Sequence, residues 1–309
     1  MHANVIYKLF LKERMRMSII FNPLSLEKWL SDVRLYISEK ALEILPILDI
    51  YIGEAKFGRQ FLNQDLSRLL PEAEILEVGA GSMLLSCQLV REGFNVTSLE
   101  PIGYGFSHFR RMQELILEVA GFHQCIPKII NEAVEKLVVQ NHFDYAFSIN
   151  VMEHVDNVAL ALSQVGYSLK QDAFYRFTCP NYLFPYEPHF NCLTLFSKPL
   201  TEKIFRKKIF ENQAIFDPKG TWESLNWINV LQIKRNVKQL PVLSVSFNRK
   251  LLISTLNRIG TDIEFANRRS KWIRYCIKVL IKFRIHYLFG FIPALFRPII
   301  DCKIQRVKV

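Results

Sequence analysis

The sequence predicts an α/β fold built on a doubly wound, mostly parallel sheet of seven strands, flanked by helical N-terminal and C-terminal additions. Three observations predict it: strand-like and helix-like runs alternate from residue 74 to 180, glycines follow the first strand at once, and an acid closes the second strand. The chain has 309 residues, enough to bury a sizeable core in one large domain or two modest ones. Apolar residues make up 50% and charged residues 22%, a composition that excludes wholesale disorder.

Residues 24–70 read as helical. Leu26, Trp29, Leu30, Val33 and Ile37 recur at helical spacing, with Ser25 as the expected N-cap. The run Glu74-Ile-Leu-Glu-Val78 is the first expected strand, Gly79-Ala80-Gly81 the turn, residues 83–91 a helix, and residues 95–100 the second strand. A helix over 106–120, a strand over 127–131, a short helix near 132–138 and a strand over 143–150 continue the alternation. A helix over 158–169 and a strand over 174–179 bring the count to five strands. Beyond Pro180 the expectations are a helix over 200–210, a strand over 225–233, a helical stretch over 249–289 and a last strand over 299–307. The expected organisation is an N-terminal helical layer (1–70), a ligand-binding core (71–180) and acceptor-side loops with the final strands (181–309), packed as one principal domain.

Glycines in the first turn let backbone approach a ligand closely, and an acid about 20 residues on accepts hydrogen bonds from a ribose. Gly79, Gly81 and Glu100 fit that pattern. A dinucleotide fingerprint wants a third glycine at position 84, where Leu84 stands, and Glu77 would repel a pyrophosphate. A cationic nucleoside suits both acids. S-adenosylmethionine (SAM) has an ammonium, a sulfonium and a ribose diol, so the charges favour it over NAD. The plainer alternative is a glycine turn that only packs a helix on a strand.

Glu77-Val-Gly-Ala-Gly81, Glu100 and Phe143-Asp-Tyr-Ala-Phe-Ser-Ile-Asn-Val-Met-Glu-His-Val155 together resemble the successive motifs of class I SAM-dependent methyltransferases, in their small-molecule, bacterial-type branch. That resemblance implies a Rossmann-like core, SAM as cofactor and S-adenosylhomocysteine as product. It also implies that Glu77, Gly79, Ala80 and Gly81 border the methionine and ribose portions and that Glu100 binds the ribose hydroxyls. Glu132 or Ala133 would lie beside adenine and Asn150 and Val151 beside the methyl donor. The sequence Asn131-Glu-Ala departs from the usual Gly-Asp pattern at the adenine position.

In-line methyl transfer mainly requires that the acceptor be held in line and water excluded. An alcohol acceptor benefits from a general base. His154, just past the fourth strand, and Glu187 and His189, in Asn181-Tyr-Leu-Phe-Pro-Tyr-Glu-Pro-His-Phe190, are the candidates; the plainer readings are that His154 only positions a loop and that the prolines and aromatics of the second segment form a rigid cover. The latter segment also resembles stretches of a bacterial methyltransferase subgroup. A small-molecule, saccharide-like or lipid-linked acceptor is expected, with oxygen ahead of nitrogen or carbon as the methylated atom. A non-catalytic SAM-binding regulator or scaffold, and an NAD-dependent enzyme, are the rival readings.

The formal net charge of +11 is concentrated late in the chain. Between residues 268 and 296, charges recur every three or four positions among apolar ones, which fits either a helix packed on the domain or one lying on an anionic membrane surface. The charges interrupt any 20-residue apolar span, so no transmembrane helix is expected. The charge has no recognisable nucleic-acid-binding motif beside it, and no nucleic-acid partner is expected. Six cysteines with no C-x-x-C pair predict neither a metal site nor a disulfide framework, and residues 1–17 lack a signal peptide's apolar core. A cytoplasmic protein, peripheral to the inner face of the membrane if the basic end attaches there, is the resulting expectation.

Overall fold

The computed structural model describes residues 23–101, 107–213, 215, 217–267 and 269–308. The expectations for residues 1–17, for Phe106 and for Arg268 lie outside the described residues, as does the side chain of Ser25. Among the described residues seven strands form one sheet in the order β3-β2-β1-β4-β5-β7-β6, with helices on both sides. They are β1 (Glu74–Val78), β2 (Asn95–Leu99), β3 (Lys128–Ile130), β4 (Phe143–Ile149), β5 (Leu169–Pro180), β6 (Leu243–Phe247) and β7 (Ile299–Arg306). The pairs β1 with β2, β1 with β4 and β2 with β3 are parallel; β5 with β7 and β6 with β7 are antiparallel. The chain divides into two compact units, Met1–Ala133 with His142–Phe147, and Val134–Asn141 with Ser148–Val309.

In the first unit, helix α1 (Pro23–Lys40) buries Leu26, Trp29, Leu30, Val33 and Ile37, the stripe that the spacing predicts. It starts two residues ahead of the expected Ser25 cap: a proline fits the first helical turn because its fixed φ is helical and its missing N–H has no partner there anyway. The helical stretch is broken at Ala41, whose φ of −157° is extended, and resumes as the 3-10 turn Leu42–Ile44 and helix α2 (Leu45–Leu66). Helices α3 (Leu84–Arg91) and α4 (Ser107–Phe122) complete this layer, and Met112, Leu115 and Ile116 join the stripe of α1 in one apolar cluster. The indole N–H of Trp29 donates to the Leu84 carbonyl at 3.0 Å, which pins α1 to the first turn of α3. Arg59 and Glu92 form a buried ion pair at 2.9 Å across α2 and the end of α3.

In the second unit, α5 (Val158–Ser168) is capped by Asn157, whose side chain accepts from Leu160 N. It leads into β5, which starts at Leu169, five residues earlier than its sequence predicts. Gly166 on α5 leaves room only for hydrogen, since a Cβ there would collide with Leu243 of β6. Helices α6 (Lys198–Phe210), α7 (Pro218–Ser224) and α8 (Val230–Lys238) follow. The strand expected over 225–233 is corrected here. The side chain of Asn229 accepts from Gln232 N and starts a helix, and Val230, Ile233 and Val237 are buried at helical spacing. The sixth strand is instead Leu243–Phe247. The long helix expected over 249–289 is three, α9 (Leu251–Thr261), α10 (Ile263–Asn267) and α11 (Lys271–Lys282), then a 3-10 segment, Ile285–Phe291, entered through Arg284 at φ +59°. Ile277 of α11 packs with Leu256 and Ile259 of α9, while Trp272 and Tyr275 of α11 and Phe283, Tyr287, Leu288 and Phe291 beyond it stay exposed. Among the described residues no helix is long and apolar enough to cross a membrane.

Candidate active site

The predicted cofactor residues of the first unit gather at the carboxyl ends of β1 and β2. Gly79 and Gly81 have φ of +71° and +50°, a region that suits glycine because it lacks a Cβ. Gly79 N and Ala80 N both donate to Leu99 O, at 2.8 and 3.3 Å, so the turn is tied to the end of β2. Gly81 N donates to the Glu100 carboxylate at 2.9 Å, and Gln113 on α4 donates to Gly81 O. The turn and the acid 19 residues later therefore meet directly. Glu100 N donates to Ile130 O at 3.0 Å, linking the ends of β2 and β3. Glu132, exposed, and Ala133, half-buried, follow on the chain. Leu84, at the position of the missing third glycine, is buried as the first residue of α3.

Glu77 lies beneath this turn, paired with Ser98 on β2 and Phe147 on β4. Its carboxylate accepts from the Ser86 hydroxyl, which in turn accepts from Ser98 at 2.6 Å. Burial, only partly opposed by the Ser86 hydroxyl and reinforced by the charge of Glu100, pushes Glu77 up to about 8 from its ordinary 4.5. Burial also raises Glu100, against the Gly81 hydrogen bond. A carboxyl at that value is protonated at neutral pH, and folding takes up a proton between about pH 4.5 and 8. Its stabilising contribution is full below the unfolded value and declines as pH climbs through that window. Glu77→Gln, neutral at every pH, gains melting temperature relative to wild type at pH 8 that it does not gain at pH 5. Thermal scans at the two pH values check this, and an equal difference at both would sink it.

In the second unit, Asn150 closes β4 at φ +55°, exposed, with its N–H donating to Thr178 O of β5 at 2.8 Å, and Val151 follows half-buried. His154, His189 and Glu187 come together. Glu187 is fully buried and accepts four times: from His189 N at 3.1 Å, Phe190 N at 2.6 Å, the Tyr182 hydroxyl at 3.3 Å and the His189 ring at Nδ1, 2.5 Å away. Burial opposes charging of His189, but the hydrogen bond and charge of Glu187 outweigh it and raise the pKa. The His154 ring lies edge-on to that of His189, with centroids 5.5 Å apart. Its Nδ1 sits 2.8 Å from Ser224 Oγ, and that hydroxyl donates its proton to Thr221 O at 2.9 Å. His154 Nδ1 is therefore the donor and carries the proton of a neutral ring. Burial, with the charges of His189 and Lys198, holds its pKa down to about 3.

Sequence reasoning misses Glu153. Its side chain is fully buried, and neither carboxylate oxygen has a hydrogen-bond partner among the described residues. Burial pushes it up to about 7, with the charge of His189 opposing. The signal was in view, inside the Met-Glu-His run quoted for the fourth strand, but burial without a partner is not written in residue types. Ser224, 70 residues from His154, carries no sequence signal at all.

The strand order with an antiparallel β7, together with the glycine turn after β1, defines a Rossmann-like α/β protein of the class I methyltransferase fold. Two Mycobacterium tuberculosis proteins, the uncharacterized protein Rv1509 of strain H37Rv and the uncharacterized protein MT1557 of strain CDC 1551, are each 42% identical to the chain over 281 residues. The match covers 91% of this chain and 95% of each relative, and the chain belongs to their family. No protein-family model matches it. Among solved structures the chain is similar to an S-adenosylmethionine-dependent methyltransferase from Mesorhizobium loti, at 14% identity and TM-score 0.48 over 79% of this chain and 97% of that one. It is also similar to Haemonchus contortus phosphoethanolamine N-methyltransferase 2 in complex with S-adenosyl-L-methionine, at 15% identity and TM-score 0.47 over 81% of this chain; it spans about half (52%) of that enzyme.

Proposed function

We propose that the chain is a SAM-dependent methyltransferase that moves a methyl group to oxygen of a small-molecule, saccharide-like or lipid-linked acceptor. The observation that carries the reading is the direct meeting of the Gly81 N–H with the Glu100 carboxylate, above the buried acid Glu77. A ribose diol can take over both groups, its hydroxyls donating to Glu100 while the backbone donates back. Ala80 and the two glycines border the methionine end, where Glu77 ionises in the presence of an ammonium and holds it through backbone or water. Glu132 and Ala133 are proposed to lie beside adenine, and Asn150 and Val151 beside the methyl.

The transfer is an in-line displacement. The acceptor oxygen forms its bond to the methyl carbon as the bond to sulfur breaks, and neutral S-adenosylhomocysteine leaves. The acceptor hydroxyl must also lose its proton, and His154, His189 and Glu187 form the polar cluster proposed to receive it. That cluster weighs against the non-catalytic rival, because burying imidazoles and carboxylates costs stability that a scaffold would have no use for. Against NAD stand the acid at position 77 and the buried Leu84 in place of glycine. Saturable binding of S-adenosylhomocysteine but not NAD tests the reading.

The exposed aromatics at and beyond α11, interspersed with exposed Lys271, Lys278 and Lys282, support a further element: contact with an anionic membrane surface. Six unpaired thiols are compatible with a cytoplasmic location. Sedimentation with vesicles containing phosphatidylserine is expected at low salt and lost at about 0.5 M salt; equal recovery with neutral vesicles would contradict it.

A further inference from the structure

Glu153, His154 and His189 each offer one ligand atom, and these atoms lie within 4.8 Å of one another. Each histidine is anchored from behind. His189 Nδ1 is held by the buried Glu187 and His154 Nδ1 by Ser224, contacts that hold the orientation of both rings. A carboxylate or hydroxyl gripping one imidazole nitrogen is the support that fixes tautomer and orientation in metal-ligating histidines. The third member points to a ligand independently. A fully buried carboxyl with neither oxygen hydrogen-bonded among the described residues carries a desolvation cost that a protein seldom leaves uncompensated.

We propose that Glu153, His154 and His189 form a binding site for a divalent first-row transition cation, with Glu187 and Ser224 as the supporting shell. Metal–ligand bonds of about 2.1 Å bring ligand atoms to roughly 3.4 Å apart in tetrahedral geometry and at most about 4.2 Å across an octahedron. Shifts of about an ångström or less per side chain therefore close the site from the observed spacing. Two imidazoles and one carboxylate are borderline donors, suited to zinc, cobalt or manganese and poor for magnesium or calcium, which favour all-oxygen shells. Three protein ligands leave coordination positions open, the pattern of a site that takes up a further oxygen rather than one that only braces a fold. That this oxygen is the acceptor's hydroxyl rests on the methyl-transfer reading above; the capacity to hold a cation does not. With a cation present, both histidines would serve as ligands, the metal would lower the pKa of the acceptor hydroxyl, and its proton would pass to water. The site runs against the sequence expectation of no metal, which looked to cysteine spacing, whereas these donors are drawn from the end of β4 and a loop 35 residues on.

The test uses the full chain without a histidine tag, stripped with chelator and titrated separately with Co2+ and Zn2+ by calorimetry and, for cobalt, visible absorption. One equivalent is expected to bind, with cobalt bands lacking thiolate charge transfer and with no displacement by millimolar Mg2+. Glu153→Gln and His189→Gln, each checked for folding by circular dichroism, weaken binding at least about tenfold. His123→Ala, at the surface beside Asp32, leaves it unchanged. Should Glu153→Gln fail to fold, His189→Gln decides. No stoichiometric binding, a thiolate band, or affinity that survives in the folded variants overturns the proposal. S-adenosylhomocysteine titrated into the same samples separates the two claims: nucleoside binding without metal binding defeats this inference alone, and the reverse defeats the functional reading alone.

Discussion

Glu100→Ala lowers the affinity for S-adenosylhomocysteine by about ten- to a hundredfold while leaving the chain folded. The expectation follows from the position of the carboxylate, which stands at the end of β2 and accepts the Gly81 N–H at 2.9 Å. A ribose diol donating to that carboxylate makes charge-assisted hydrogen bonds, each contributing about 1.5–3 kcal/mol, and 1.4 kcal/mol is a factor of ten. Folding does not hinge on the residue, because the turn remains tied to β2 through the bonds from Gly79 N and Ala80 N to Leu99 O. Glu100→Gln, which keeps an acceptor but not the charge, loses less. Calorimetric titration of the two variants checks the order, and an alanine variant with wild-type affinity would remove Glu100 from the cofactor site.

The largest stability effect is expected at Arg176 and Asp301. Thr178 of β5 pairs with Asp301 of β7, which puts Arg176 on the diagonal and on the same face. The guanidinium meets the carboxylate through two parallel bonds, Nε to Oδ1 at 2.9 Å and Nη2 to Oδ2 at 2.8 Å, with both side chains buried. Removing one partner strands a buried charge, so Arg176→Ala or Asp301→Ala costs about 3–5 kcal/mol. Replacing both with apolar residues of similar volume costs far less, because the desolvation of two ions is then avoided. Urea unfolding of the two single variants and of the double Arg176→Met, Asp301→Leu variant distinguishes these cases. Additive losses in the double variant would contradict the argument.

The sheet was legible in the sequence where strand-like runs are bounded by turn residues. Glu74–Val78 and Phe143–Ile149 fall where their patterns place them, because each is a mostly apolar segment followed at once by a turn residue, Gly79 or Asn150. The C-terminal part was harder to read, since short apolar runs do not separate strand from helix by periodicity alone. Residues 225–233 hold scattered apolar positions that pass for a strand, and only the Asn229 cap and the burial of Val230, Ile233 and Val237 reveal the helix. The true sixth strand, Leu243–Phe247, is five residues long with only Leu243 fully buried, a weak signal in any reading. At the site, the glycine turn and Glu100 were legible because their spacing is set by one local βαβ unit. The cluster of Glu153, His154 and His189 was legible only in pieces, because its support comes from Glu187 and Ser224 in separate segments.

The measurement that bears most directly on the central claim is a calorimetric titration of the folded chain with S-adenosylhomocysteine, run beside NAD and beside Gly81→Arg. The glycine stands at φ +50°, a conformation that is strained for most residues with a side chain, and a long side chain there would fill the space proposed for the methionine and ribose portions. The account predicts saturable binding of S-adenosylhomocysteine, none of NAD, and loss of binding in the folded variant. Absence of binding to the folded wild-type chain, or preference for NAD, would contradict it.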